Sequence, residues 1–410
     1  TVSNNTVSGS TGRGGIVVVA EERNSATNAS FTNLAINSNT LTGNTTGLSI
    51  GILGAPYDNA TGVDGSYGIT AITGNTFTTN TNYHLRDIAE SLGGQEVYEI
   101  FTNTDVAAGF AGTGNTFDTS TVVTNGAGVV QSTTSLVIRP TIQQSIDDAS
   151  AGDTVEVAAG TYNETVTINK NNLTLTGDPG ATGATSNDAG PGSSAPVLDG
   201  TGLGNTSAIF LGAVSNVTIA GFEIANYDNG APGPGGTGGV GSGIQSFDVA
   251  TNNITVRDNY FHDLGWNGVL VASDNGTLQN NWAVIRNNIA EVLYAGIELT
   301  NATNSTVQYN TISARVTNNA GQQTDPGDSG VGIEIATRDQ AGIGVTSGNT
   351  LVDSNVITGA LFERAGINLL SRAYAGTSNA VLENVTVSNN TVSGSTGRGG
   401  IVVVAEERNS

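Results

Sequence analysis

Apolar and polar residues alternate along this chain in runs too short for helices. The segments GIQS at 243, GVLV at 268, GIEL at 296, GIEI at 332, GINL at 366 and GIVV at 400 share one pattern: a glycine, then residues that alternate in direction. A period of two puts one residue of each pair inward and the next outward, as in a β-strand. A second pattern runs beside it. Asn39, Asn75, Asn115, Asn259, Asn287, Asn310, Asn355 and Asn390 are each followed two residues later by Leu41, Phe77, Phe117, Phe261, Ile289, Ile312, Ile357 or Val392. Short strands and turns recurring at roughly 22 to 45 residues describe coils of a parallel solenoid, in which each coil pairs only with its neighbours. The asparagines are read as structural. Stacked at a tight corner, their amides hydrogen-bond along the axis and satisfy groups that would otherwise be buried unpaired.

The expected fold is therefore all-β, a right-handed parallel β-helix of about a dozen coils. One segment departs from it. Pro140 precedes a stretch with Ile142, Ile146 and Ala149 on one face, which predicts a short helical cap near 141–149 over an open sheet end. From Ile142 through GDTVEVAAGTY to TINKNNLTLTGD at 167–178 the chain resembles the first coils of the pectin-lyase-like β-helix superfamily, especially its surface and periplasmic NosD-type members. The resemblance implies the fold and leaves function open, since that superfamily includes polysaccharide lyases, hydrolases, epimerases, adhesins and structural repeats.

Residues 1–25, TVSNNTVSGSTGRGGIVVVAEERNS, recur unchanged at 386–410, an offset of 385 residues. An exact repeat of this length marks an array. The expected organisation is 1–129 as the C-terminal coils of one unit, 130–136 as a junction, and 137–410 as the cap and the N-terminal to central coils of the next unit. The competing expectation is an end segment duplicated within one domain, to cap it or to exchange with a neighbour.

Composition narrows the function classes. Acidic residues outnumber basic ones 35 to 13, Lys170 is the single lysine, and the formal charge is -22. Such a surface repels nucleic acid, whose phosphates need lysine and arginine, and suits an acidic, self-repelling exterior. With no cysteine there is neither a disulfide framework nor a thiolate metal site. No apolar run approaches the length that crosses a bilayer. The expected setting is extracellular or cell-surface, with no required cofactor.

Chemistry could sit on the outward column of the GIEL and GIEI strands, which places Glu298 beside Glu334 with Arg338 further along. Two carboxylates about one strand spacing apart are the parts of a retaining glycosidase, so these three are the catalytic candidates. His262, Trp266, Tyr294, Asn368 and Arg372 are the glycan-binding candidates. The loops DNATGVD and TDPGDSG offer Asp58, Asp64, Asp325 and Asp328 as oxygen ligands for Ca²⁺, although neither loop matches an EF-hand or the RTX nonapeptide. The chain holds 14 Asn-x-Ser/Thr sequons, among them Asn163, Asn216, Asn253 and Asn384; chance from its 46 asparagines accounts for most of these, so glycosylation is permitted and not indicated. The leading expectation is a structural extracellular protein, a fibre, sheath or giant adhesin of tandem β-helix units that associate with identical neighbours and meet cell-surface glycans. The alternative is a polysaccharide-binding or polysaccharide-cleaving β-helix. If the chain is an enzyme, it is a polysaccharide lyase or glycoside hydrolase.

Overall fold

The computed structural model describes residues 1–18, 33–50, 69–88, 113–124, 135–180, 190–204, 206–227, 241–313, 330–359, 365–374, 379–395 and 398–408. The chain divides into two compact units, Thr1–Gly160 and Thr161–Ser410. Residues 130–134 of the expected junction, and the loops bearing Asp58, Asp64, Asp325 and Asp328, lie outside the described residues.

The unit Thr161–Ser410 is a stack of eight coils. A typical coil has three strands, as in Gln279–Ile285, Asn288–Ile289 and Ala295–Thr300. Each pairs in parallel with its counterpart in the next coil, so three parallel sheets wrap one core. The alternation seen in the sequence becomes three inward columns. One runs Ile244, Val269, Ile297, Ile333 and Ile367, and another Ile224, Phe261, Ile289, Ile312 and Ile357; all are fully buried. Full burial of one such side chain contributes roughly 1.5–3 kcal/mol, so the core stabilises the stack coil by coil.

Two features of the sequence set the spacing. The glycine before each third-sheet strand sits where the next coil comes closest: a Cβ on Gly268, Gly296 or Gly332 would lie 2.6, 2.7 or 2.5 Å from the carbonyl oxygen of the following coil's glycine. Only a residue without a side chain fits there. The asparagine column lies at the preceding corner. Backbone N–H groups of Asn259, Asn287, Asn310 and Asn355 donate to Oδ1 of the next asparagine, Asn287, Asn310, Asn355 and Asn390, at 2.9–3.1 Å. Each Nδ2 returns a hydrogen bond to a carbonyl of the previous coil, as Asn310 does to Val284 at 2.9 Å.

The unit Thr1–Gly160 repeats this plan over four coils, with Val7, Leu41, Phe77 and Phe117 in one column and Asn5, Asn39, Asn75 and Asn115 in another. The rings of Phe77 and Phe117 stack 4.9 Å apart. A second buried amide pair in this unit is Asn44 and Asn80; Asn80 contacts the ring of the buried His84, whose Nε2 lies 3.2 Å from Asp118. The parallel regime ends at two antiparallel pairings, Ser135–Ile138 with Tyr83–Ile88 and Thr121–Thr124 with Thr154–Val157. Between them lies the expected helix, Ile142–Asp148, capped by the Thr141 hydroxyl, which accepts from the Gln144 N–H at 3.3 Å. Ile142, Ile146 and Ala149 are its buried face.

Candidate functional site

The outward residues of the third sheet form the site. Parallel register brings Leu270, Glu298, Glu334 and Asn368 side by side on four successive coils, as their sequence positions require. What the sequence did not indicate is burial. Glu298 is 2% exposed and Glu334 is fully buried, although both point away from the core.

Arg338 explains how two carboxylates can share that space. Its guanidinium reaches back along its own strand, donating from Nη2 to Glu334 Oε1 and placing Nη1 3.1 Å from Glu298 Oε1. The remaining carboxylate oxygens are also occupied. Glu298 accepts from Asn267 Nδ2 and the Thr300 hydroxyl, each at 2.9 Å, and Glu334 accepts from Asn368 Nδ2 at 2.9 Å. Asn267 is itself fixed by accepting from the Ala295 N–H at 3.1 Å. Burial pushes the Glu298 carboxyl above the usual range; the Arg338 charge opposes this and Glu334 adds to it. On Arg338 the balance falls the other way: burial disfavours its charge, but the two carboxylates outweigh it and hold the guanidinium firmly protonated. The Arg338 Nε is buried without a hydrogen-bond partner.

The aromatic candidates border this cluster. Trp266 and Tyr294 stack with centroids 4.7 Å apart and planes 3° from parallel, and the Tyr294 hydroxyl accepts from Arg338 Nη2 at 3.3 Å. Tyr294 is buried and Trp266 half-buried. Arg372 occupies the register position of Arg338 one coil on, where it pairs with Glu406 of the coil after.

His262 is not part of the site. It lies on the second sheet, with Nδ1 2.7 Å from Asp263 and Nε2 3.1 Å from Glu223, stacked on Tyr260 at 4.5 Å. Burial, then the charges of Glu223, Asp263 and Glu291, raise the Tyr260 hydroxyl above its ordinary range. Of the sequon candidates, Asn216, Asn253 and Asn384 belong to an exposed amide column, whereas Asn163 donates to the carbonyls of Asp199 and Thr201. Sequence reasoning missed Asn267 and Thr300; the signal available for Asn267 was its place directly before the column glycine Gly268. Among the described residues no group of three His, Cys, Asp or Glu side chains is placed to hold a metal ion.

No family model matches the chain, and no curated protein matches it. Among solved structures it is similar to the surface protein and adhesin PfbA of Streptococcus pneumoniae, at 12% identity over 65% of this chain and 95% of that one, with a TM-score of 0.21. It is also similar to the GH136 lacto-N-biosidase of Eubacterium ramulus, at 12% identity over 93% of this chain and 60% of that one, with a TM-score of 0.20. At these values neither likeness transfers an activity or a ligand.

Proposed function

We propose that this chain is a structural β-helix protein of the cell surface, a stiff element of a fibre, sheath or adhesin built from tandem units. The observation that supports this over catalysis is the closed state of the candidate carboxylate pair, Glu298 and Glu334. Retaining hydrolysis needs one carboxylate free to attack and a second free to donate a proton across a sugar. Glu298 and Glu334 are instead bridged by Arg338 and capped by Asn267, Thr300 and Asn368. The resemblance of 142–178 to NosD-type coils supports the setting outside the cell. Ca²⁺ in the aspartate-bearing loops would be an accessory to that role.

A second reading, passive glycan binding, is favoured by the half-buried Trp266, since an indole face suits the apolar face of a sugar ring. One experiment separates the readings: the purified chain is applied to a glycan array and to polysaccharides with reducing-end detection, beside Glu298→Gln and Trp266→Ala. The structural reading expects no sugar release from any protein and a lowered Tm for Glu298→Gln. Release by the parent chain that disappears in Glu298→Gln would overturn it, and binding lost in Trp266→Ala would establish the second reading.

A further inference from the structure

Among the described residues the dipeptide Asn-Gly occurs twice, and the fold gives its two copies opposite surroundings. This dipeptide carries its own chemistry. With no side chain on the second residue, the glycine nitrogen can approach the asparagine Cγ and close a five-membered ring. At Asn267-Gly268 every part is tied down. Asn267 is fully buried, its Nδ2 donates to Glu298 Oε2 at 2.9 Å, and its Oδ1 accepts from the Ala295 N–H at 3.1 Å. The Gly268 nitrogen is committed as well, donating to the Ala295 carbonyl at 3.2 Å.

Asn275-Gly276 is the reverse. It lies in the turn after strand Val269–Ala272, and Asn275 is exposed. Its Oδ1 accepts twice, from the Ser273 hydroxyl and from the Thr277 N–H, each at 2.9 Å. The bond to Thr277 spans Gly276 and holds the side chain back over that nitrogen. Both donors polarise the Cγ carbonyl, and both face the oxygen on which negative charge gathers when Cγ is attacked. The Gly276 N–H has no hydrogen-bond partner among the described residues. The group that would leave, Nδ2, has only a long bond of 3.3 Å to the Asp248 carbonyl.

We propose that Asn275 is a self-modification site, which the folded protein converts without an enzyme to aspartate and isoaspartate while Asn267 stays intact. The Gly276 nitrogen loses its proton to solvent and bonds to Asn275 Cγ; the Cγ–Nδ2 bond breaks, and Nδ2 takes up a proton and leaves as ammonia. Water then opens the ring. Cleavage between the Gly276 nitrogen and Cγ yields aspartate, and cleavage between that nitrogen and the main-chain carbonyl carbon yields isoaspartate. Water is the only co-reactant, and nothing is oxidised or reduced. Either product brings a carboxylate to a turn that already holds Asp248 and Asp274 and removes the Nδ2 link to the preceding coil. The Asp274 carboxyl, raised above its ordinary range by burial and then by the charge of Asp248, meets a further like charge. The conversion runs one way, so the converted fraction records the age of the molecule. None of this depends on whether the chain is structural or binds sugar.

The two dipeptides serve as each other's control. The full chain is kept folded in mildly alkaline buffer, sampled over weeks, digested and mapped by mass spectrometry. Replacement of NH by O identifies a converted peptide, and electron-transfer fragmentation separates isoaspartate from aspartate. The Asn275 peptide is expected to convert progressively and the Asn267 peptide to stay unchanged; in urea both should convert at similar rates, because the fold no longer distinguishes them. Ser273→Ala removes one of the two donors to Oδ1 and should slow Asn275 about 3-fold, the worth of one exposed neutral hydrogen bond. Asn275→Gln, whose ring would be six-membered, should not convert. Conversion of Asn275 in the folded chain no faster than that of Asn267, or a rate in Ser273→Ala equal to or above the parent's, would overturn the proposal.

Discussion

Two asparagine columns run along the unit Thr161–Ser410, one buried and one exposed. In the buried column, Asn259 to Asn390, backbone N–H groups donate to the side chain of the next coil. In the exposed column, Asn216, Asn253, Asn280, Asn304, Asn349 and Asn384 pass side-chain hydrogen bonds from each coil back to the one before, at 2.7–3.2 Å. The bonds are alike in length, yet the columns do different work. The buried asparagines neutralise corner groups that water cannot reach. Most of the exposed ones, including Asn216, Asn253, Asn304, Asn349 and Asn384, sit at φ of 51–59°, where asparagine is chosen for tolerating a left-handed backbone. Hydrogen-bond length therefore does not measure what a residue contributes; the alternative open to its partners does.

The widest predicted gap between the columns comes from truncation inside. Asn310→Ala leaves the Asn287 N–H, the Val284 carbonyl and Asn355 Oδ1 without that partner. With each orphaned buried group costing about 1–3 kcal/mol, a loss of roughly 3 kcal/mol is expected in urea unfolding. A loss below that of an exposed asparagine would remove the distinction. On the surface, Asn304→Ala should cost about 1 kcal/mol, chiefly from forcing alanine to positive φ, and Asn304→Gly should restore most of it. If Asn304→Gly proves as damaging as Asn304→Ala, the exposed hydrogen bonds matter more than the backbone.

The smallest effect concerns pH. Asp353, partly exposed on the first sheet, accepts from Ser388, Asn389, Gln308 and Ser354, and these hydrogen bonds hold its carboxyl at about 2. A depressed folded-state value stabilises the protein above the ordinary carboxylate range, and this contribution is lost as pH falls from about 4 towards 2. Asp353→Asn should flatten the acid limb of the Tm-versus-pH curve by a few tenths of a kcal/mol, an exposed group's share. An unchanged limb would show that these surface contacts do not discriminate the ionised form.

The sequence made one column legible and hid the other. Asn-x-apolar repeats at the buried corner because a fixed amide must precede a fixed core residue. The exposed column is blurred by neighbouring asparagines at 171–172, 252–253 and 280–281, any of which could take the left-handed turn. Its grammar, an asparagine at the turn and a strand threonine two residues on, also generates the sequons Asn216-Val-Thr, Asn253-Ile-Thr and Asn384-Val-Thr. Those motifs follow from the coil and are no signal of glycosylation. At the candidate site, strand register made the adjacency of Glu298 and Glu334 readable. Their burial was not, because it depends on Arg338 reaching back from four positions beyond Glu334 and on Asn267 from the preceding turn.

The buried asparagine column carries one more consequence. Every main-chain N–H in it points the same way along the stack, and each amide that accepts one donates in turn, so the dipoles add and polarise one another. A coil laid in backwards would offer a donor where an acceptor is required. The stack therefore has a built-in arrow, and anything that lengthens it must read that arrow at both ends.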